Sequence, residues 1–202
     1  MLQKVQGSGN VLRAPGGTSE GNVFELMLRA QLVTIGRIAQ AREMLEIAIA
    51  PRIVDHVSEA ENSRLEEHIY AMVDASAVGD LRSGLDADHS FHMKLFEPLG
   101  NPIMSYVVNG KSQALRDVLL ERRRIAMGIE IAKNGGRPPT MFKNDSIHFQ
   151  ITRALRSRRR EAVTAAMTEH FDQWRGLARS RTARPGHSDR STPAHRSVGA
   201  TS

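Results

Sequence analysis

The chain has 202 residues, no cysteine and a formal net charge of +6. That length suits one ordinary domain with a core plus tails, and the missing thiols exclude disulfides and thiolate metal sites. From Arg175 onward six arginines face one acid, Asp189, so the tail carries +5 and residues 1–174 only +1; the basic pI is therefore weak support for a DNA-binding surface on the globular part.

The N-terminus has no apolar signal core and no segment approaches the roughly 20 apolar residues of a membrane span, so a soluble, cytoplasmic protein with no membrane partner is expected. Ala, Leu, Met, Glu and Arg dominate the centre, and aromatic and β-branched runs are sparse, which favours helices. Residues 1–20 are rich in Gly, Ser and Pro and read as a turn and linker, with a strand–turn–strand over Leu2 to Leu12 as the one extended feature. Helical periodicity begins at Val23 and continues to about Val57, with a break expected near 30–34 and a kink or new start at Pro51. Ser58-Glu59-Ala60-Glu61 has the form of a capping box opening a helix with the stripe Leu65, Ile69 and Met72. Gly79 and Gly84 punctuate the run into a helix through Asp88, which Pro98, Gly100 and Asn101 terminate. Pro102 suits the first turn of the next helix, reaching about Ile131 and weakened at Asn109-Gly110. After the loop 134–139, helices of about 145–157 and 160–179 form a hairpin. Beyond Arg181 the composition turns to Ser, Thr, Pro, Arg and Gly, the signature of disorder. The expected architecture is all-α: an antiparallel bundle of six to seven helices over 21–180, between a flexible segment 1–20 and a disordered basic tail 181–202.

Asp88 and His92 lie one helical turn apart on the side that carries Leu95, so both face the core. His148 and His170 are equidistant from the turn near residue 159 and share stripes with Ile151 and Leu155, and with Val163 and Met167. In an antiparallel hairpin they sit side by side, roughly 16 Å from the turn at about 1.5 Å per residue. One carboxylate and three imidazoles make a first shell for a divalent metal; a hydrogen-bonded polar core without metal is the competing reading of the same spacing. The runs Arg122-Arg123-Arg124 and Arg158-Arg159-Arg160 read as solvated helix faces or turns, and no further inward acid is evident.

The run Asp88-x3-His92-x8-Asn101, then His148-x2-Ile151-x2-Ala154-Leu155, then Ala162-x4-Met167-x2-His170, resembles the ligand-binding FCD domain of the FadR branch of GntR transcription regulators. Upstream, Arg42-x2-Leu45-Glu46 is similar to the start of that domain's first long helix, and the likeness covers about residues 21–178. The resemblance implies an effector-binding and dimerising bundle in which Asp88, His92, His148 and His170 hold zinc, or alternatively nickel or manganese. It implies that Arg42 offers a bidentate fork to the carboxylate of a small organic acid, and that Asn101 is a structural turn. Two departures stand out: Gln40 replaces the acid often found two residues before the arginine, and the winged helix-turn-helix that would contact DNA is largely absent, Met1 to Leu12 resembling only the tail of its wing. The expected protein is a homodimeric sensing domain, not an enzyme. A helical metalloenzyme, hydrolase or isomerase, using the same Asp/His site is the alternative, and a metal-free interaction module the third reading.

Overall fold

The computed structural model of the chain describes residues 2–5, 9–12, 20–109 and 113–182. Two short strands, β1 (Leu2–Val5) and β2 (Gly9–Leu12), pair antiparallel with Leu2 opposite Leu12 and Val5 opposite Gly9. This is the expected strand–turn–strand; its turn and the linker after it lie outside the described residues. The remaining elements are α1 (Glu20–Arg29), α2 (Ile35–Ile53), α3 (Glu59–Ala77), α4 (Leu81–Phe96), α5 (Pro102–Asn109), α6 (Gln113–Lys133), α7 (Lys143–Ser146), α8 (His148–Arg156) and α9 (Arg160–Thr182). Among the described residues there are thus nine α-helical segments where six to seven are expected. Two expected helices are each divided: one at the weakened Asn109 position, and one at Ile147, between α7 and α8. The tail expected to be disordered lies outside the described residues beyond Thr182.

Local chemistry sets the helix ends. Thr34 Oγ1 accepts from the Arg37 N–H at 3.3 Å, opening α2 after the break. Ser58 and Glu61 form the reciprocal capping box, with contacts of 3.2 and 2.7 Å. Asp80 accepts from the N–H groups of Arg82 and Ser83 and starts α4. Each such cap contributes about 1 kcal/mol. Gly100, at φ 59°, closes the 3-10 turn Glu97–Leu99, and Asn101 Oδ1 accepts from the Ile103 N–H at 3.0 Å to begin α5. Pro51 does not start a new helix: α2 continues through it to Ile53. A proline so near the C-terminus removes one rung of the ladder, and burial of Ala50, Ile53 and Val54 keeps that end packed.

Helices α3 and α4 form one antiparallel hairpin and α8 and α9 a second; α2 lies against α9, and α3 against α8. Their inward stripes meet in a core of Ile53, Leu65, Ile69, Met72, Phe91, Leu95, Ile151, Leu155, Val163 and Met167. Burying each of the larger of these contributes about 1.5–3 kcal/mol. The polar groups described next sit at the edge of this core, where α2, α4, α8 and α9 converge.

Candidate metal centre and its cavity

The structure brings three of the four proposed ligands, His92, His148 and His170, to one point: each offers one ring nitrogen, and these atoms all lie within 4.8 Å of one another. The rings of His148 and His170 are 4.6 Å apart between centroids, and those of His92 and His170 are 5.0 Å apart. Asp88 completes the group from α4. Its Oδ1 is 3.0 Å from His148 Nε2 and 4.0 Å from His92 Nε2. All four residues are buried, and Phe91 packs edge-on against His148 while Phe171 does the same to His170.

Partners behind the rings fix their orientation. His92 Nδ1 is 2.5 Å from Glu46 Oε2, so its Nε2 faces Asp88. His148 Nδ1 is 3.2 Å from the main-chain carbonyl of Asp145. A carbonyl only accepts, so Nδ1 is the donor in that contact, which turns Nε2 toward the centre. Carboxylate and carbonyl partners of this kind orient metal-binding histidines.

Charge at the centre follows from burial and neighbours. Burial alone would favour the neutral acid at Asp88, but the contact with His148 and the surrounding imidazoles outweigh it and hold the carboxyl well below its ordinary range. Burial, reinforced by His148 and His92, pushes the His170 imidazole well below its usual value, so it is neutral. An ionised carboxylate beside a neutral imidazole is the form that binds a cation.

The donor set passes a further test. Asp88 Oδ1, His148 Nε2 and His170 Nδ1 are buried without a hydrogen-bond partner, and Asp88 Oδ1 and His148 Nε2 approach one another without hydrogen-bonding alignment. Orphaned buried atoms of this kind cost about 1–3 kcal/mol each. A divalent cation would satisfy them together, and an N3O set of imidazoles and carboxylate suits zinc or nickel.

Above the centre opens a cavity of about 380 Å³ to which Asp88, His92, His170 and Arg42 contribute, with Leu85, Leu115, Leu119 and Phe171 as apolar wall. Arg42 projects from α2, its Nε donating to Glu46 Oε1 at 2.5 Å, which leaves the terminal nitrogens of the guanidinium for the cavity. Gln40 also lines it. Asn101 is exposed and serves as the cap of α5, away from the centre.

Two corrections concern residues read differently from sequence. Glu46 is a fully buried acid beside the centre, where no further inward acid was expected; its i, i+4 spacing from Arg42 on an apolar stripe is the signal that points to it. Arg123 is not a solvated helix-face residue: it is 1% exposed. It donates to Asp145 Oδ1 and Ser76 Oγ, each at 2.7 Å, beneath the histidine centre. Arg124, next in the run, is exposed and paired with Glu121.

The described helices thus form a bundle with a cavity over a buried Asp/His centre. The FCD domain family matches residues 37–173, and the chain belongs to that family, the FCD domain of GntR-type transcription regulators. The HTH-type transcriptional regulator LutR of Bacillus subtilis is 24% identical over 125 residues, 62% of this chain and 56% of that protein, so the match spans little more than half of the relative's length. Among solved structures, Streptococcus agalactiae GntR aligns with a TM-score of 0.53 at 23% identity, covering 87% of this chain and 74% of that one. E. coli McbR/YncC aligns with a TM-score of 0.52 at 12% identity, covering 89% and 77%. These two likenesses concern the fold. Among the described residues no helix is long and apolar enough to cross a membrane.

Proposed function

We propose that this chain is the effector-sensing and dimerising part of a GntR/FadR-type transcription regulator. Asp88, His92, His148 and His170 would hold a divalent metal, zinc first, and Arg42 would receive the carboxylate of a small organic acid in the cavity above. When bound, the metal supplies a Lewis-acidic anchor for an oxygen of that acid. The chain's own residues do the rest: Glu46 and the Asp145 carbonyl orient the rings, Arg42 positions the carboxylate, and the apolar wall excludes water. Effector occupancy would bias the arrangement of two copies, and DNA would be reached through a winged helix-turn-helix.

The observation that carries this reading is the convergence of orphaned, buried ligand atoms on one point at the floor of a cavity lined by Arg42. A hydrolase or isomerase would need a general base beside the metal. The acid available, Glu46, is a poor one: burial favours its neutral form, but Arg42 and His92 outweigh this and hold it at about 2. Metal analysis of the purified chain is the test. Stoichiometric zinc or nickel is expected in the wild type and its loss in Asp88→Ala and His170→Ala; equal metal content in all three would sink the site. With metal present at about 100 times its Kd, melting should report some 2.7 kcal/mol of added stability, absent from both variants.

A further inference from the structure

Four guanidiniums line the cavity: Arg42, Arg122, Arg123 and Arg175. Three are already matched by acids. Arg42 pairs with Glu46, Arg123 with Asp145, and Arg175 with Glu43 and Asp172. Arg122 is the exception. It is half-buried, and no ion pair or hydrogen bond joins it to any of the described residues. Its own helix cannot supply a partner, because the residues three and four positions away are Val118, Leu119, Ile125 and Ala126. Arg124, by contrast, has Glu121 three residues back and pairs with it.

A guanidinium stays charged at any ordinary pH, and holding it half out of water with no counter-charge is unfavourable unless an anion joins it. The floor of the cavity presents a second positive pole. Asp88 offsets one charge of a divalent ion, which leaves one over, beside Arg42. The cavity therefore has a positive pole on its floor and another on the α6 wall, with apolar Leu115 and Leu119 lining the same space. A monoanion neutralises one of these; a dianion with its charges at opposite ends neutralises both.

We propose that the effector is a short dicarboxylic acid. One carboxylate lies at the metal centre and Arg42, the other is held by Arg122, and the carbon chain rests on the leucines. This rests on the metal-and-acid reading above and specifies the class of acid. Arg122 presents two donors in a plane, which matches a carboxylate and not a methyl end.

The test is calorimetric titration of the zinc-loaded full chain with two matched pairs of acids. Malate and 2-hydroxybutyrate differ only in a terminal carboxylate against a methyl, as do succinate and butyrate. Each diacid should bind about ten- to a hundredfold more tightly than its monoacid, the effect of one charge-assisted pair. In Arg122→Gln that ratio should fall to about one, with Arg122→Lys keeping part of it and zinc content reporting that both variants are folded. Arg42→Gln should weaken diacids and monoacids together. Equal affinity within each pair in the wild type, or a diacid preference that survives Arg122→Gln, overturns this inference and leaves the sensing function standing. If none of the four acids binds the zinc-loaded chain, both fail.

Discussion

Two polar clusters are buried next to each other in this bundle, and Asp145 touches both. Its side chain accepts from Arg123 and from Ser76, at 2.7 and 2.6 Å, while its main-chain carbonyl lies 3.2 Å from His148 Nδ1. The arginine cluster pairs charge with charge: Arg123 Nη2 meets Asp145 and Ser76 and also reaches the Met72 carbonyl at 3.4 Å, while its buried Nε has no hydrogen bond. The histidine centre does not close. Three buried atoms there, Asp88 Oδ1, His148 Nε2 and His170 Nδ1, lack a hydrogen bond. A cluster that satisfies itself holds helices together, whereas one that keeps its donors open is arranged for something the chain does not contain.

Breaking the comparison from the closed side should produce the largest effect. Asp145→Ala leaves the Arg123 charge buried without its carboxylate and should cost about 3–5 kcal/mol in urea unfolding. Asp88→Ala in chelator-treated protein should cost less than that, since its Oδ1 makes no hydrogen bond to lose. Equal losses in the two variants would show that the clusters are of one kind.

A smaller effect comes from the helix that both clusters share. Gly84 sits in α4 one turn before Asp88, and a Cβ there would lie 2.6–2.8 Å from Nη2, Nε and Cζ of Arg123. Replacing glycine by alanine in a helix ordinarily stabilises by about 1 kcal/mol. Here the buried guanidinium has no room to give, so Gly84→Ala should instead destabilise by about 1–3 kcal/mol. Thermal melting decides the sign, and a gain would mean that Arg123 is free to shift.

The same contrast explains what was legible in the sequence. Helix ends at Ser58, Asn101 and Pro102 could be read because capping is local: donor and acceptor lie within four residues. The meeting of His148 with His170 could be read because one short turn links their helices, so equal distance from it implies equal height. Glu46 was within reach by the same local logic, four residues from Arg42. The Arg123 cluster was not. Its partners stand 22 and 47 residues away, and a run of three arginines conceals that successive residues on a helix point about 100° apart. Arg122 consequently turns to the cavity, Arg123 to the core and Arg124 to solvent. Which way each faces depends on how α6 is rotated against α3 and α4, and that is set by packing rather than by the run itself.

The surface supplies the lower end of the comparison, and the smallest effect. Arg156 of α8 bridges to α3, its Nη1 2.5 Å from Glu66 Oε1 and its Nη2 3.1 Å from Oε2. The pairing resembles that of Arg123 with Asp145, but the side chains are 36% and 20% exposed, so water screens the attraction. Glu66→Gln should therefore cost only about 0.2–1 kcal/mol. Its pH dependence gives the sign. The hydrogen bond from Arg156 holds the Glu66 carboxyl below its ordinary 4.5, so the folded protein binds that proton less readily than the unfolded chain. The contribution is complete above pH 4.5 and declines as pH falls from there through the folded value. Urea unfolding of wild type and Glu66→Gln across this window should show a constant gap above it that narrows on acidification. A gap that widens toward low pH would contradict the pairing.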